Sequence, residues 1–508
     1  MASASEQQWL ERARALVLRG DSAQAEPLLK IALTEHARSF ELRRVLAGVY
    51  RQLQRDGEAE ALLRELLRES PQDAATAFTL AELLIGQART QAAGQVLRSC
   101  FDGGQHDPDL AIRAIELLDE ADRKMDAAAI ADNAITAVPD DPRLHAYAGM
   151  LQLQLGAFEQ AREHHLFALE HGPKACEWHV PHGLASAQRY ADGEHPDFER
   201  FRACLRRTDL SEKARASLLF ALGKAHDDVG EYKQAAACFR HANLLAHALS
   251  RWSRKDWRRA VEARLASAPI AVRTEPTPDF VPLFIVGMPR SGTTLLAERL
   301  SRYPGVCNRG ELPWLAKLAQ QPDLNGNPSR DALARAANFY ATQARRDDSP
   351  DARWFIDKQP LNFRYIDLAL ALFPDARVIH CMRNQRDTAL SLWAQSFSED
   401  VQGYAYDFDH IAVVMRDCER LMQHWGRCFP QAIRAVHYEE LVTAPDATMT
   451  ALAAWAALPD AATTKAQSSP SISTASLWQA RQPVHARSLR RWQAYVEYVP
   501  ELLEFKDR

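Results

Sequence analysis

Residues 287–294 read GMPRSGTT and follow the apolar run PLFIV. Against the phosphate-binding pattern G-x-x-x-x-G-K-[ST], Gly287, Gly292 and the closing hydroxyl of Thr294 fit, while Thr293 stands where the lysine belongs. Glycines let successive N–H groups and a helix N-terminus turn toward an anion. Ser291, Thr293 and Thr294 add hydroxyls, and Arg290 adds a planar cationic fork. In a triphosphatase the lysine reaches the β- and γ-phosphates and the last hydroxyl holds magnesium. A loop without that lysine suits a nucleotide carrying one activated 5′ group, handled without a metal. Taken alone, it also fits a decayed triphosphatase loop.

Such a loop needs a strand before it and a helix after it. From residue 282 onward, short β-rich runs (PLFIVG, RWFIDK, ARVIHCM and IRAVHYE) alternate with helical patterns. That alternation predicts a parallel sheet covered on both faces, with ligands beyond the carboxyl ends of its strands. The residues just past those ends are therefore the candidates: Lys358 in DKQP, Arg383 in CMRNQRD and Tyr438 in HYEELV. His380 lies inside a strand among apolar neighbours and is assigned to packing; Arg386 and Asp387 are expected to form a solvated pair. Upstream, SAPIAVRTEPTPDFVP carries four prolines and reads as a linker, 266–281.

The first half of the chain repeats. Ala25, Ala59, Ala93, Ala127 and Ala161 lie 34 residues apart, with Leu29, Leu63 and Leu97 four residues after the first three. Seven residues after the alanines stand Ala32, Leu66, Cys100, Ala134 and Ala168, so each set shares one helical face. Period and pattern resemble tetratricopeptide repeats, which are helix-turn-helix units stacked into an α-solenoid with a concave binding surface. Residues 216–242 supply the best single copy, and between about 174 and 212 the register is lost. The expected organisation is a solenoid over 6–265, the linker, and an α/β domain over 282–508. The fold class is thus α plus α/β, with a central parallel sheet in the second part.

Over about 282–495 the chain resembles the sulfotransferase family, which uses 3′-phosphoadenosine-5′-phosphosulfate (PAPS). Within that family it is most similar to protein-tyrosine sulfotransferases and bacterial relatives fused to tetratricopeptide repeats. The resemblance implies that Pro289, Arg290, Ser291, Gly292, Thr293 and Thr294 hold the 5′-phosphosulfate. It implies that Arg383 and Ser391, eight residues apart, grip the 3′-phosphate, a task suited to a guanidinium fork and a hydroxyl. Lys358, in a [DN]-K-x-P context, is the implied catalytic lysine, neutralising charge on the bridging oxygen. Glu311, after Gly310 and 21 residues from Arg290, is the implied general base. Tyr438 stands beside the adenosine. The resemblance further implies a closing segment with Ser476 near the transferred group, where it stabilises charge together with Arg290 and Lys358, and with Gln479 and Arg481 on the cofactor. Plainer roles stay open for several: a surface lysine, a helix-start glutamate, a strand-end core tyrosine.

Composition sets the outer limits. In 508 residues, 47% are apolar, 25% are charged and the net charge is −4, which gives no general reason to expect nucleic acid or anionic membrane as a partner. No secretory leader and no apolar run of membrane-spanning length is visible, and eight scattered cysteines without a C-x-x-C pair are expected as reduced thiols. Together with the resemblance, which implies a nucleotide sulfate donor, no metal and a protein or peptide acceptor engaged by the repeats, these limits lead to the expectation of a cytoplasmic enzyme. A carbohydrate or small-molecule acceptor is the alternative. Two rivals come from other classes: a magnesium-dependent P-loop kinase or triphosphatase, and a non-catalytic repeat protein.

Overall fold

The computed structural model describes residues 5–103, 107–397, 400–459 and 488–507. The chain divides into two compact units: Met1–Ala148 with Arg346–Asp348, and Gly149–Arg345 with Ser349–Arg508.

The first unit contains four helix pairs: Glu6–Leu18 with Ser22–Glu35, Phe40–Gln52 with Asp56–Glu69, Ala74–Gly86 with Thr90–Phe101, and Pro108–Glu120 with Lys124–Ala137. The periodic Ala25, Ala59, Ala93 and Ala127 are all fully buried, as are Leu29, Leu63 and Leu97. A methyl group at that position is what lets two helix backbones close on each other; a larger side chain would overpack. Ala134 departs from the set and is only half-buried. Ser39 and Asp73 cap first helices, accepting from Leu42 N and Thr76 N. Each pair turns through one left-handed residue: Gly20 (φ 81°), Gln54 (57°), Ala88 (61°) and Asp122 (59°), 34 residues apart.

The second unit begins with helical structure that continues the pattern and then breaks it. Where the register is lost, short helices Val180–Ser186 and Pro196–Leu205 pack around Tyr190, Phe198 and Phe201. A buried carboxylate lies among them. Asp197 accepts from Arg162 Nη1 at 2.6 Å and from Tyr190 OH at 2.9 Å. This fold also brings Cys176 and Cys204 together as a disulfide, correcting the expectation that all eight cysteines are reduced. Residues 28 apart fall outside any C-x-x-C pattern, so only the irregular packing pairs them. The regular hairpin returns as Glu212–Asp228 with Tyr232–Leu249, where Gly223 lies flat against the Phe239 ring.

The proline-rich stretch runs extended but is tied down: Thr274 N donates to Ala371 O and its Oγ1 to Leu372 O. It delivers the chain to a five-stranded parallel sheet of β1 (Val281–Gly287), β2 (Val306–Asn308), β3 (Trp354–Asp357), β4 (Arg377–Met382) and β5 (Ile433–His437), in the order β2-β3-β1-β4-β5. Alternate residues of β1 serve opposite faces. Phe284 and Val286 join the core under helices Arg330–Arg345 and Phe408–Cys428, whereas Leu283 and Ile285 join the core under Thr293–Leu300 and Pro445–Trp455. Both faces are therefore covered, as the unbroken apolar run of β1 requires. Three residues are too few to show a period, which is why β2 gave no sequence signal.

Candidate functional site

The strand order reverses at β1. The chain leaves it for β2 and β3 on one side, then returns to β4 and β5 on the other. Ligands bind outside the carboxyl ends of strands at such a switch point, because the connections diverge and leave a crevice. The loop 287–292 follows β1, and Arg383 follows β4, across that crevice.

Close approach shapes the loop. A Cβ on Gly287 would stand 2.3 Å from Cys381 O of the neighbouring strand, and one on Gly292 would stand 2.4 Å from the Tyr438 ring. Both Arg290 (φ 71°) and Gly292 (φ 96°) are left-handed, and Gly292 is the N-cap of helix Thr293–Leu300. Two reversals in three residues curl the main chain into a nest of N–H groups. Ser291 and Thr293 are almost wholly buried.

Arg383 closes over this curl. Its Nη1 donates to Arg290 O at 2.9 Å, its Nη2 to Ser488 O at 2.8 Å, and its guanidinium carbon lies 4.8 Å from the Tyr438 ring centre. Arg290 Nε donates to Ser391 Oγ at 3.0 Å. Tyr438 OH and Ser488 Oγ share a 2.6 Å hydrogen bond. The four sequence candidates Arg290, Arg383, Ser391 and Tyr438 thus form one cluster with the loop. Burial first, then the charges of Arg383 and Arg491, push the Arg290 guanidinium down to about 10. Burial also lowers Arg383, against the opposing carboxylates of Asp387 and Glu439. Two cations held in low dielectric favour an anion between them. Two buried donors, Ser291 Oγ and Arg383 Nε, have no hydrogen-bond partner among the described residues. Buried donors without a partner among the described residues, beside two guanidinium groups, fit a phosphate or sulfate group.

The second cluster is Lys358 and Glu311. Lys358 follows β3, is 2% exposed, and its Nζ donates to Glu311 Oε1; the glutamate side chain is 32% exposed. Burial therefore excludes the surface role for Lys358. Glu311 caps no helix: Pro313 is the N-cap of the next one, Trp314–Leu318, without a side-chain cap bond. The carboxylate instead presents an open edge beside a buried ammonium. His380 stays inside β4, where burial pushes its ring down to about 4, so it is neutral and packed near neutral pH.

Other residues depart from expectation or were missed. Arg386 and Asp387 are not a solvated pair. Asp387 is 2% exposed and accepts from Arg490 N at 2.7 Å and Trp492 N at 3.0 Å. Arg386 stacks on Trp492 at 4.4 Å and donates to Phe505 O. The C-terminal segment covers both, which no local pattern announces. Arg491 had no assigned role, yet its charge reaches Arg290 and Arg383 while it pairs with Asp227, which also accepts from Tyr495 OH, and lies over the Tyr495 ring. The double arginine in RSLRRW was its one signal. Ser476, Gln479 and Arg481 lie outside the described residues.

Residues 282–462 match the sulfotransferase family, and residues 16–84 match the tetratricopeptide repeat. An uncharacterized protein of Aquifex aeolicus (strain VF5) is 29% identical over 321 residues, covering 58% of this chain; the chain spans only 42% of that relative. Among solved structures, a thermophilic tetratricopeptide protein of Thermus thermophilus is 22% identical with a TM-score of 0.23, covering 36% of this chain and 98% of its own. A tetratricopeptide protein of Parabacteroides merdae is 15% identical with a TM-score of 0.28, covering 50% and 96%.

Proposed function

We propose, for a chain that carries a sulfotransferase-family domain behind tetratricopeptide repeats, that it transfers the sulfuryl group of PAPS to the hydroxyl of a tyrosine in a protein or peptide. The observation that carries this reading is the half-buried arginine cluster at the switch point: Arg290 and Arg383 joined through Arg290 O, with Ser291 Oγ and Arg383 Nε without a partner among the described residues. Such a cluster suits a ligand anionic at two places and needs no lysine from the loop.

The donor supplies an activated sulfuryl group on a 5′-phosphate. The loop Pro289–Thr294 would hold that end, with N–H groups and the hydroxyls of Ser291, Thr293 and Thr294 as donors. Arg383 and Ser391 would take the 3′-phosphate, and Tyr438 would lie beside the nucleoside. Glu311 accepts the proton of the acceptor hydroxyl as the new S–O bond forms. Lys358 sits where negative charge grows on the departing oxygen as the old S–O bond breaks. Before substrates arrive the two neutralise each other, which keeps a buried ammonium paired. A glutamate base and a repeat array of a kind that binds extended segments favour a peptide over a small phenol or sugar.

The test is incubation with sulfur-labelled PAPS and a panel of tyrosine peptides, glycans and phenols, alongside calorimetry with adenosine 3′,5′-bisphosphate in a metal chelator. Label on peptide with tight chelator-resistant binding supports the reading. Label on glycan or phenol alone moves the acceptor, and ATP binding that requires magnesium overturns the donor.

A further inference from the structure

Asp357 takes no part in the chemistry just described, yet it stands between the two residues that do. It ends β3 and is 1% exposed. Its Oδ1 accepts from Gln359 N at 3.0 Å and Leu312 N at 3.4 Å. Its Oδ2 accepts from Tyr340 OH at 2.7 Å and Asn362 Nδ2 at 3.0 Å. Leu312 directly follows Glu311, and Gln359 directly follows Lys358. One carboxylate therefore holds the main chain just beyond both reacting side chains. On their near side the same two segments are joined by Lys358 N, which donates to Gly310 O at 2.7 Å.

A buried carboxylate is a costly way to fill that space, since an amide or an apolar group would not carry a charge out of water. Its particular capacity is to accept four donors at once from four elements. These are the segment after β2, the segment after β3, helix Arg330–Arg345 through Tyr340, and the turn Pro360–Tyr365 through Asn362. Fixing both segments to one rigid point removes the play with which Glu311 and Lys358 could drift apart. Misplacement of a reacting group by about 1 Å costs on the order of 100-fold in rate.

We propose that Asp357 is a positioning residue for the transfer step, holding Glu311 toward the acceptor hydroxyl and Lys358 toward the departing oxygen at a fixed separation. This inference rests on the sulfotransferase reading above. It also carries a signature in pH. Burial, with Glu311 adding to it and the bonds from Tyr340, Gln359 and Leu312 opposing it, pushes the carboxyl up to about 7. The charged group acting on it is Glu311, itself paired with Lys358, and Tyr340 is the titratable group on the packed helix. Protonation removes acceptor capacity, so kcat falls as pH drops through that value.

The experiment uses the full chain and Asp357→Asn, which keeps the shape and turns an acceptor into a donor facing Tyr340 and Asn362. The expected result is a kcat loss of about 10- to 100-fold, KM for PAPS and Kd for adenosine 3′,5′-bisphosphate within about twofold, and loss of the acid limb near pH 7. The exchange Asp357→Asn with Asn362→Asp returns a carboxylate to the knot and restores part of kcat. Tyr340→Phe, a milder variant should the first fold poorly, lowers kcat by a smaller factor with the same unchanged Kd. Equal loss of kcat and nucleotide affinity, or an unaltered pH profile, would show a purely structural role and overturn the proposal. A wild-type chain that binds the bisphosphate but moves no label from PAPS would overturn the functional reading and this inference with it.

Discussion

Both parts of the molecule turn the chain through left-handed residues, and they do so under opposite constraints. In the repeats the position between helices is held by Gly20, Gln54, Ala88 and Asp122 in turn, and a Cβ on Gly20 would meet nothing within 4 Å. At Gly20 and the exposed Gln54 the backbone angle is what the turn requires, while Asp122 also accepts from Arg346 Nη1 at 3.1 Å. In the loop after β1 the same angle appears at Gly292, but an aromatic ring occupies the space a Cβ would need. Its neighbour Arg290 is also left-handed, and there the side chain is indispensable to the cluster. A repeat tolerates variety because a turn such as Gly20 or Gln54 has only to join its own two helices. A site does not, because residues from β1, β4, β5 and the C-terminal segment converge on one curl.

The largest effects that would sharpen this contrast lie at the reacting pair. Glu311→Gln and Lys358→Ala should each lower kcat by about 100- to 10,000-fold, the range of a lost acid–base or charge-stabilising group. Neither should alter the Kd of adenosine 3′,5′-bisphosphate, which calorimetry measures directly. Loss of nucleotide affinity in both would mean that the two clusters act as one. Next comes Arg383→Ala, expected to weaken the bisphosphate by about 2 kcal/mol, roughly 30-fold, as a charge-assisted contact is lost. Adenosine 5′-monophosphate, which lacks the 3′ group, should change far less. Equal losses for the two nucleotides would remove Arg383 from the 3′-phosphate.

Glycine substitutions test the comparison itself. Gly292→Ala meets both strain and the Tyr438 ring, so about 1–3 kcal/mol of stability and much of the nucleotide affinity should go together. Gly20→Ala meets strain alone and should cost about 1 kcal/mol, read by denaturant unfolding, with unchanged nucleotide affinity. A further contrast comes from Asp357. Its folded carboxyl titrates near 7, above the ordinary carboxylate value, so the unfolded chain loses its proton first as pH rises. Stability must then fall between about pH 4 and 7, by at most ~1.4 kcal/mol per pH unit, and level off above. Asp357→Asn should flatten that slope while lowering kcat, whatever it does to the absolute stability.

How much of this could be read beforehand follows from the same contrast. Repeat contacts are local and periodic, so Ala25, Ala59, Ala93 and Ala127 could be named as buried from spacing alone. The loop, Lys358, Glu311 and the Arg383–Ser391 couple stood at strand ends or in motifs, and the structure brings them into two clusters. What stayed hidden depends on distant chain. Asp387 looked solvated because its partners, Arg490 N and Trp492 N, arrive a hundred residues later. Arg491 and Asp227 meet across 264 residues of sequence, and neither carries a local pattern that names the other. Asp357 was visible only as the residue before Lys358, since a carboxylate that serves main-chain N–H groups leaves no trace in side-chain spacing.

The smallest expected effect runs in the opposite direction from the rest. Gln54 is exposed and holds φ at 57°, a conformation that costs an L-residue with a Cβ roughly 1–2 kcal/mol. Gln54→Gly removes that strain but enlarges the freedom of the unfolded chain, which takes back about 0.5–1 kcal/mol. The balance is a gain of about 0.5 kcal/mol, seen as a small upward move of the denaturation midpoint with unchanged m-value. At Arg290 the same substitution relieves the same backbone strain, yet it also deletes the guanidinium that reaches Ser391, so nucleotide affinity should collapse whatever the fold gains. If Gln54→Gly destabilised the chain as well, the repeat turns would be answering to their side chains after all, and the difference between array and site would be one of degree.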